Sequence, residues 1–250
     1  MYNSVGAEQG LRVSVTVPVK NERDNLLPLI TEIEVALAPV GAYEIIYVDD
    51  ASDDGTSQIL AELQVNRPHL RVIRHEFSAG KSGAVRTAVR AARAPLIATL
   101  DGDGQNNPAY LPAMIAALEA SPADTGLVQG ERQRRRDTLF KRVQSRIANA
   151  VRRLVLSDVT SDTGCGLTVV RRDVYLQLPY FQGLHRFVPA LVRRDGYAIL
   201  IHSVADRPRL SGQSHYGFFD RLWVGLFDMA GVWWLIRRRG PRPNATERRP

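Results

Sequence analysis

The stretch PLIATLDGDGQNNP, residues 95–108, runs from an apolar segment directly into two carboxylates one residue apart. Leu96, Ile97, Ala98 and Leu100 form the short apolar run expected of a strand buried inside a sheet, and the Gly, Asn and Pro that follow end it. Upstream the same grammar repeats. LRVSVTVPV (11–19), YEIIYVDD (43–50) and LRVIRH (70–75) read as strands, whereas LLPLITEIEVAL (26–37) and TSQILAELQ (56–64) read as helices. Residues 79–93 also read as a helix, with Val85, Ala88, Val89 and Ala92 on one face. This alternation predicts an α/β fold with a mostly parallel sheet flanked by helices.

In open sheets of this kind, ligands bind at the carboxyl ends of the strands. Three polar clusters fall there: PVKNERDN after the first strand, DDASDDGT after the second and DGDGQNN after the fourth. Ordinary turn chemistry accounts for any one of them; three at strand ends argue for a shared crevice. Asp101 and Asp103, at i and i+2, can converge on one hard cation, with Gln105 adding an oxygen or positioning a water. Mg²⁺ typically uses one or two protein carboxylates together with substrate phosphates, so a metal here implies a phosphate. Asp49, Asp50 and Glu22 can accept hydrogen bonds from a base edge or ribose hydroxyls. Metal, diphosphate and nucleoside together describe a nucleotide-activated donor.

Composition bounds the alternatives. A chain of 250 residues, 44% apolar, is long enough for one substantial core with an appendage. The lone Cys165 excludes an intramolecular disulfide and a multi-cysteine zinc site and is expected to be a buried spectator. MYNSVGAEQG at the start lacks the basic and apolar regions of a secretory signal, so the expected location is the cytoplasm. The net charge of +7 is concentrated in two patches: residues 131–153 hold nine Lys/Arg against two acids, and 237–250 hold six Arg against one. Such patches suit phosphate in nucleic acid, in lipid headgroups or on a substrate. A nucleic-acid partner leaves the carboxylate pair unexplained and is not expected. His69, His75, His185, His202 and His215 show no metal-ligand spacing. SAGKSGA contains Gly-Lys-Ser, but a phosphate-binding loop needs Gly five positions before Gly80, where His75 stands.

In the second half, LFKRVQSRIANAVRRLVL (139–156) reads as a basic amphipathic helix with Phe140, Val143, Ile147, Val151 and Leu154 on its apolar face. GCGLTVVRRDVYLQL (164–178) reads as a strand leading into a helix, and 185–210 as a helix, a strand and an Arg-rich loop. LWVGLFDMAGVWWLI (222–236) is interrupted by Asp228 and is too short to span a bilayer. With its tryptophans and the arginines that follow, it is expected to form one or two amphipathic helices at a membrane interface, or else to finish the core. The expected organisation is a main domain over 1–210, amphipathic helices over 211–239 and a disordered basic tail over 240–250.

The series TVPVKNERDN, VDDASDDGT, FSAGKSGAVRTAV and TLDGDGQNNP resembles the nucleotide-sugar domain of family 2 glycosyltransferases, which have the GT-A fold. GERQRR, KRVQSRIAN, DTGCGLTVVRRDV and RPRLSGQSHYG resemble, more narrowly, the dolichyl- and polyprenyl-phosphate sugar transferases. The resemblance implies that Asp101, Asp103 and Gln105 hold Mg²⁺ or Mn²⁺ on the donor diphosphate. It implies that Pro18, Glu22, Asp49 and Asp50 cradle the nucleoside, with Lys81 opening a helix below the nucleotide. Arg132, Lys141 and Ser145 match positions that receive the acceptor phosphate, with Arg142 and Arg146 as neighbours; Arg207 and Arg209 are further candidates. The implied reaction moves a sugar, with inversion, from GDP-mannose or a UDP-hexose to a polyprenyl phosphate, on the cytoplasmic face of a membrane. The protein would be held there by its basic surface or by an integral membrane partner subunit. Two departures stand out: Val19 and Lys20 replace the usual Tyr before Asn-Glu, and His215 stands where relatives often carry Lys.

Overall fold

The computed structural model describes residues 10–132, 156, 162, 164–205, 207 and 218–240. The expected basic helix over 139–156, apart from Leu156, lies outside them. So do Lys141, Arg142, Ser145, Arg146, Arg209, His215 and residues 241–250 of the tail.

The first half follows the expected alternation: β1 (Val13–Val19), α1 (Leu26–Leu37), β2 (Tyr43–Asp49), α2 (Thr56–Gln64), β3 (Leu70–Arg74), α3 (Gly80–Ala91) and β4 (Leu96–Thr99). Then come α4 (Leu111–Glu119), β5 (Thr125–Arg132), β6 (Thr168–Arg171), α5 (Arg172–Gln177), α6 (Val188–Arg194), β7 (Ala198–Val204) and α7 (Phe218–Arg237). The strands form one seven-stranded sheet in the order β3-β2-β1-β4-β6-β5-β7. All neighbours are parallel except that β6 runs antiparallel to both β4 and β5.

Both faces of the sheet are covered at its centre, which is why β1, β2 and β4 read as nearly continuous apolar runs. One face packs Val13, Val15, Val17 and Val19 of β1 against α1, α2 and α4. The other packs Ile46 and Val48 of β2 against α3, α5 and α6, with Val232 of α7 added at the edge. Several polar residues of the central strands are buried and paired. At the amino end of β2, buried Glu44 accepts from Ser14 Oγ at 2.7 Å, the Arg93 amide at 2.7 Å and Arg71 Nη1 at 2.6 Å.

Strand order reverses around β1, which has β2 on one side and β4 on the other. The crevice of a doubly wound sheet opens at such a switch point, outside the carboxyl ends of the strands. The stretch that opened the sequence reading therefore leaves β4 beside the end of β1. Gly102 permits this: a Cβ there would lie 2.5 Å from Val19 Cγ1 and 3.1 Å from the Pro18 carbonyl oxygen. The first carboxylate pair is brought against the first loop because the residue between the two aspartates has no side chain.

Candidate active site

Two loops interlock along one wall of the crevice. Asn21, in the left-handed region at φ 58°, donates its amide to Ser52 Oγ at 2.9 Å and its side-chain nitrogen to Asp53 at 2.8 Å. The Glu22 amide donates to Thr56 Oγ1 at 3.0 Å, and the Glu22 carboxylate accepts from Asn25 at 2.6 Å. The clusters after β1 and β2 thus form one surface, with Pro18 in register beside Val48.

Asp49 and Asp50 diverge. Asp49 is fully buried; its Oδ1 accepts from the Ser52 amide at 3.0 Å, and its Oδ2 has no hydrogen-bond donor among the described residues. Arg74 Nε lies 3.9 Å from it. Asp50 turns toward the start of α3 and is filled by protein donors: His75 Nδ1 at 2.7 Å, Ser78 Oγ at 2.6 Å and the amides of Ala79 and Gly80 at 2.8 and 2.9 Å. Burial alone would raise the Asp50 pKa, but the hydrogen bonds from Ser78, His75, Ala79 and Gly80 outweigh it and hold the carboxyl below its ordinary value.

The opposite wall is the loop after β4. Asn106, nearly buried, accepts the Asp101 amide at 2.9 Å, and Asp103 accepts the Gln105 amide at 3.1 Å. Gly104 supplies a positive φ of 73° between them. The Asp101 carboxylate forms an ion pair with Lys81 on the first turn of α3. On another side the backbone of Gly166 passes so close that a Cβ there would lie 2.6 Å from Asp101 Oδ2. Arg207 donates to the Gly104 carbonyl at 2.5 Å, the Asn106 carbonyl at 3.3 Å and Glu32 at 2.6 Å. Arg207, a further candidate for phosphate contact, uses its guanidinium to tie the carboxylate loop to α1. Arg132 is engaged as well, in a bidentate pair with nearly buried Asp162 at 2.6 and 2.9 Å. An incoming phosphate would have to share it.

Sequence reasoning did not reach Asn106, Gly166 or Asp162. Asn106 was legible in principle as a turn residue, whereas the other two come from a distant segment that only the fold brings back. Two further titratable groups are shifted mainly by burial. Burial pushes the Cys165 thiol up to about 11, and burial together with the Lys81 and Arg186 charges pulls His185 down to about 3, so the imidazole is neutral.

Among the described residues there is no cluster of three or more His, Cys, Asp or Glu side chains suited to a metal. The donors at the end of β4 are two carboxylates and the Gln105 amide oxygen, all hard oxygens. That set fits Mg²⁺ or Mn²⁺ completed by substrate oxygens, and does not fit a self-sufficient protein cage.

A mostly parallel, doubly wound sheet with paired carboxylates at its switch point is the architecture of a GT-A glycosyltransferase domain. The family described as Glycosyl transferase family 2 matches residues 14–178, and the chain belongs to it. Among curated proteins it is 31% identical over 246 residues to the dodecaprenyl-phosphate galacturonate synthase of Rhizobium johnstonii, covering 94% of this chain and 70% of that one. It is also 31% identical over 208 residues to the undecaprenyl-phosphate 4-deoxy-4-formamido-L-arabinose transferase of Edwardsiella ictaluri, covering 82% of this chain and 63% of the relative. Among solved structures it resembles glucosyl-3-phosphoglycerate synthase from Mycobacterium tuberculosis, in complex with Mn²⁺, UDP and glucosyl-3-phosphoglycerate. The TM-score is 0.66 at 18% identity, over 91% of this chain and 80% of that one. That likeness supports the fold.

Two outcomes follow. Replacing Gly166 with Ala forces the Asp101 carboxylate to move, so nucleotide-dependent metal binding should fall at least about tenfold while the protein still melts cooperatively; unchanged binding would contradict the contact. Because the folded Asp50 pKa is depressed, its contribution is present above the ordinary carboxylate value and is lost as pH falls through the folded one. Asp50→Asn should therefore cost about 2 kcal/mol at pH 7 in urea unfolding, with the gap to wild type closing below about pH 4.

Proposed function

We propose that this chain transfers a sugar from a nucleotide-sugar, GDP-mannose or a UDP-hexose, to a polyprenyl phosphate, with inversion and with Mg²⁺ or Mn²⁺ at Asp101, Asp103 and Gln105. The observation that carries the reading is the carboxylate loop at the β1/β4 switch point of a chain similar, over nearly its whole length, to polyprenyl-phosphate sugar transferases. The interlocked loops after β1 and β2 form the nucleoside wall, with Pro18, Glu22 and Asp49 toward the ligand and Asp50 fixing the start of α3.

An oxygen of the lipid phosphate attacks the anomeric carbon as the bond from that carbon to the donor diphosphate breaks, and the nucleoside diphosphate leaves. A bound divalent cation supplies charge neutralisation for the leaving diphosphate. The acceptor phosphate is ionised near neutral pH, so the chemistry needs no strong general base. Arg132 receives the acceptor phosphate in exchange for part of its contact with Asp162, together with Lys141 and Ser145.

A lipid acceptor requires the crevice to reach the headgroup layer. No described helix is long and apolar enough to cross a membrane. α7 is instead two-faced: Val232 is buried on the core, while Phe227, Trp233 and Trp234 are exposed. Arg237 stacks over Trp233 at 4.5 Å and Arg238 lies over Trp234 at 5.7 Å. An aromatic row edged by arginines suits an anionic interface, and it supports peripheral attachment on the cytoplasmic face, with an integral membrane subunit as a partner if α7 alone is too weak. On this reading residues 1–210 carry the catalysis, 211–239 the attachment and 240–250 a basic tail.

The direct test supplies labelled GDP-mannose and UDP-hexoses with undecaprenyl phosphate in membranes. One donor should yield a metal-dependent, organic-soluble product, and Asp103→Asn should lower the rate about 10³-fold; no product from any donor would overturn the reading. In a separate flotation assay, Trp233→Ser with Trp234→Ser should abolish most binding to phosphatidylglycerol vesicles, and full retention would remove α7 from the interface.

A further inference from the structure

We propose that Lys81 is a resident counter-ion of Asp101, and that it must leave Asp101 for the metal to bind fully and turn to the donor diphosphate, so that metal and donor bind cooperatively. This rests on the nucleotide-sugar reading and concerns the same site.

The start of α3 is held from both sides. Asp50 takes the Ala79 and Gly80 amides and the Ser78 hydroxyl. From the other side Gln182 Nε2 donates to the Ala79 carbonyl at 2.8 Å, and buried Ser82 Oγ lies 2.7 Å from His185 Nδ1. The Lys81 backbone is thereby anchored between hydrogen-bonded neighbours. Its side chain is not: the Lys81–Asp101 pair is 36% and 23% exposed, the range in which an ion pair is weak and exchangeable. A flexible four-carbon stem on a rigid base lets the ammonium change partners without any movement of the helix.

Charge then sets the order of events. Asp101 and Asp103 bring two negative charges to the end of β4, and Lys81 cancels one of them. A divalent cation arriving alone meets both a carboxylate already in use and a repelling ammonium. A diphosphate arriving with it gives that ammonium a new partner. Any such coupling is reciprocal, so the metal must strengthen donor binding by the same factor. Lys81 becomes a positioning residue that keeps the cation site closed until the donor is present.

Manganese binding measured by calorimetry, alone and with UDP or GDP, on wild type, Lys81→Met and Lys81→Arg tests this, with melting curves confirming that each variant folds. Lys81→Met should bind Mn²⁺ alone about tenfold more tightly than wild type, and nucleotide should enhance that binding by a smaller factor than in wild type. Lys81→Arg keeps the charge and should behave as wild type. Equal affinity of wild type and Lys81→Met for Mn²⁺ alone overturns the counter-ion role, even if the variant has lost nucleotide affinity, because that pattern describes a simple donor contact. If Lys81→Met does not melt cooperatively, Lys81→Gln is read by the same criteria. Wild type that takes up no Mn²⁺ with either nucleotide would overturn the transferase reading itself, and the proposal with it.

Discussion

The structure is organised around a concentration of negative charge at one end of a sheet. Asp49, Asp50, Asp101 and Asp103 all leave the carboxyl ends of strands that meet at the β1/β4 switch point. Like charges so placed repel unless each finds its own counter-charge or donor set. Three solutions are visible. Asp50 is saturated by local donors, Asp101 is paired with Lys81, and Asp49 is buried with one oxygen unfilled and Arg74 at a distance. Asp50 is thus bound into the fold, whereas Asp49 and Asp101 keep part of their capacity outside it.

The devices that hold this arrangement are mostly absences of side chain and long-range clamps. Gly102 lets β4 end against β1, and Gly166 lets a segment from beyond β5 cross the Asp101 carboxylate. Arg207, after β7, reaches back across the molecule to the carbonyls of the carboxylate loop and to Glu32 of α1. The second half of the chain thus does more than complete the sheet: it sets the geometry of residues contributed by the first half.

That division explains what the sequence made legible. The elements from β1 to β4 were readable because each is bounded by its own turn residues and shows its own period, as in VSVTVPV and LLPLITEIEVAL. The carboxylates were readable because their position after a strand carries the chemistry. β5 was not, since TGLVQGER mixes two glycines and a Gln into a buried strand; Gln129 is tolerated there only because it donates to the Gly130 and Cys165 carbonyls. β6 was readable as a strand, but its antiparallel direction was not, since direction depends on the path between β5 and β6 and not on local pattern. The role of Arg207 in tying that loop to α1 was not legible, because an arginine in a loop gives no sign of the acceptors that the fold will bring to it.

The central claim is that the loop after β4 holds a divalent metal on a nucleoside diphosphate. A crystal grown with Mn²⁺ and UDP or GDP, with diffraction collected at the manganese absorption edge, tests it most directly. The account predicts an anomalous peak beside Asp103 and Asp101, bridged to the diphosphate, with the Lys81 ammonium withdrawn from Asp101. Manganese bound elsewhere, or nucleotide bound with no metal at these carboxylates, would contradict it.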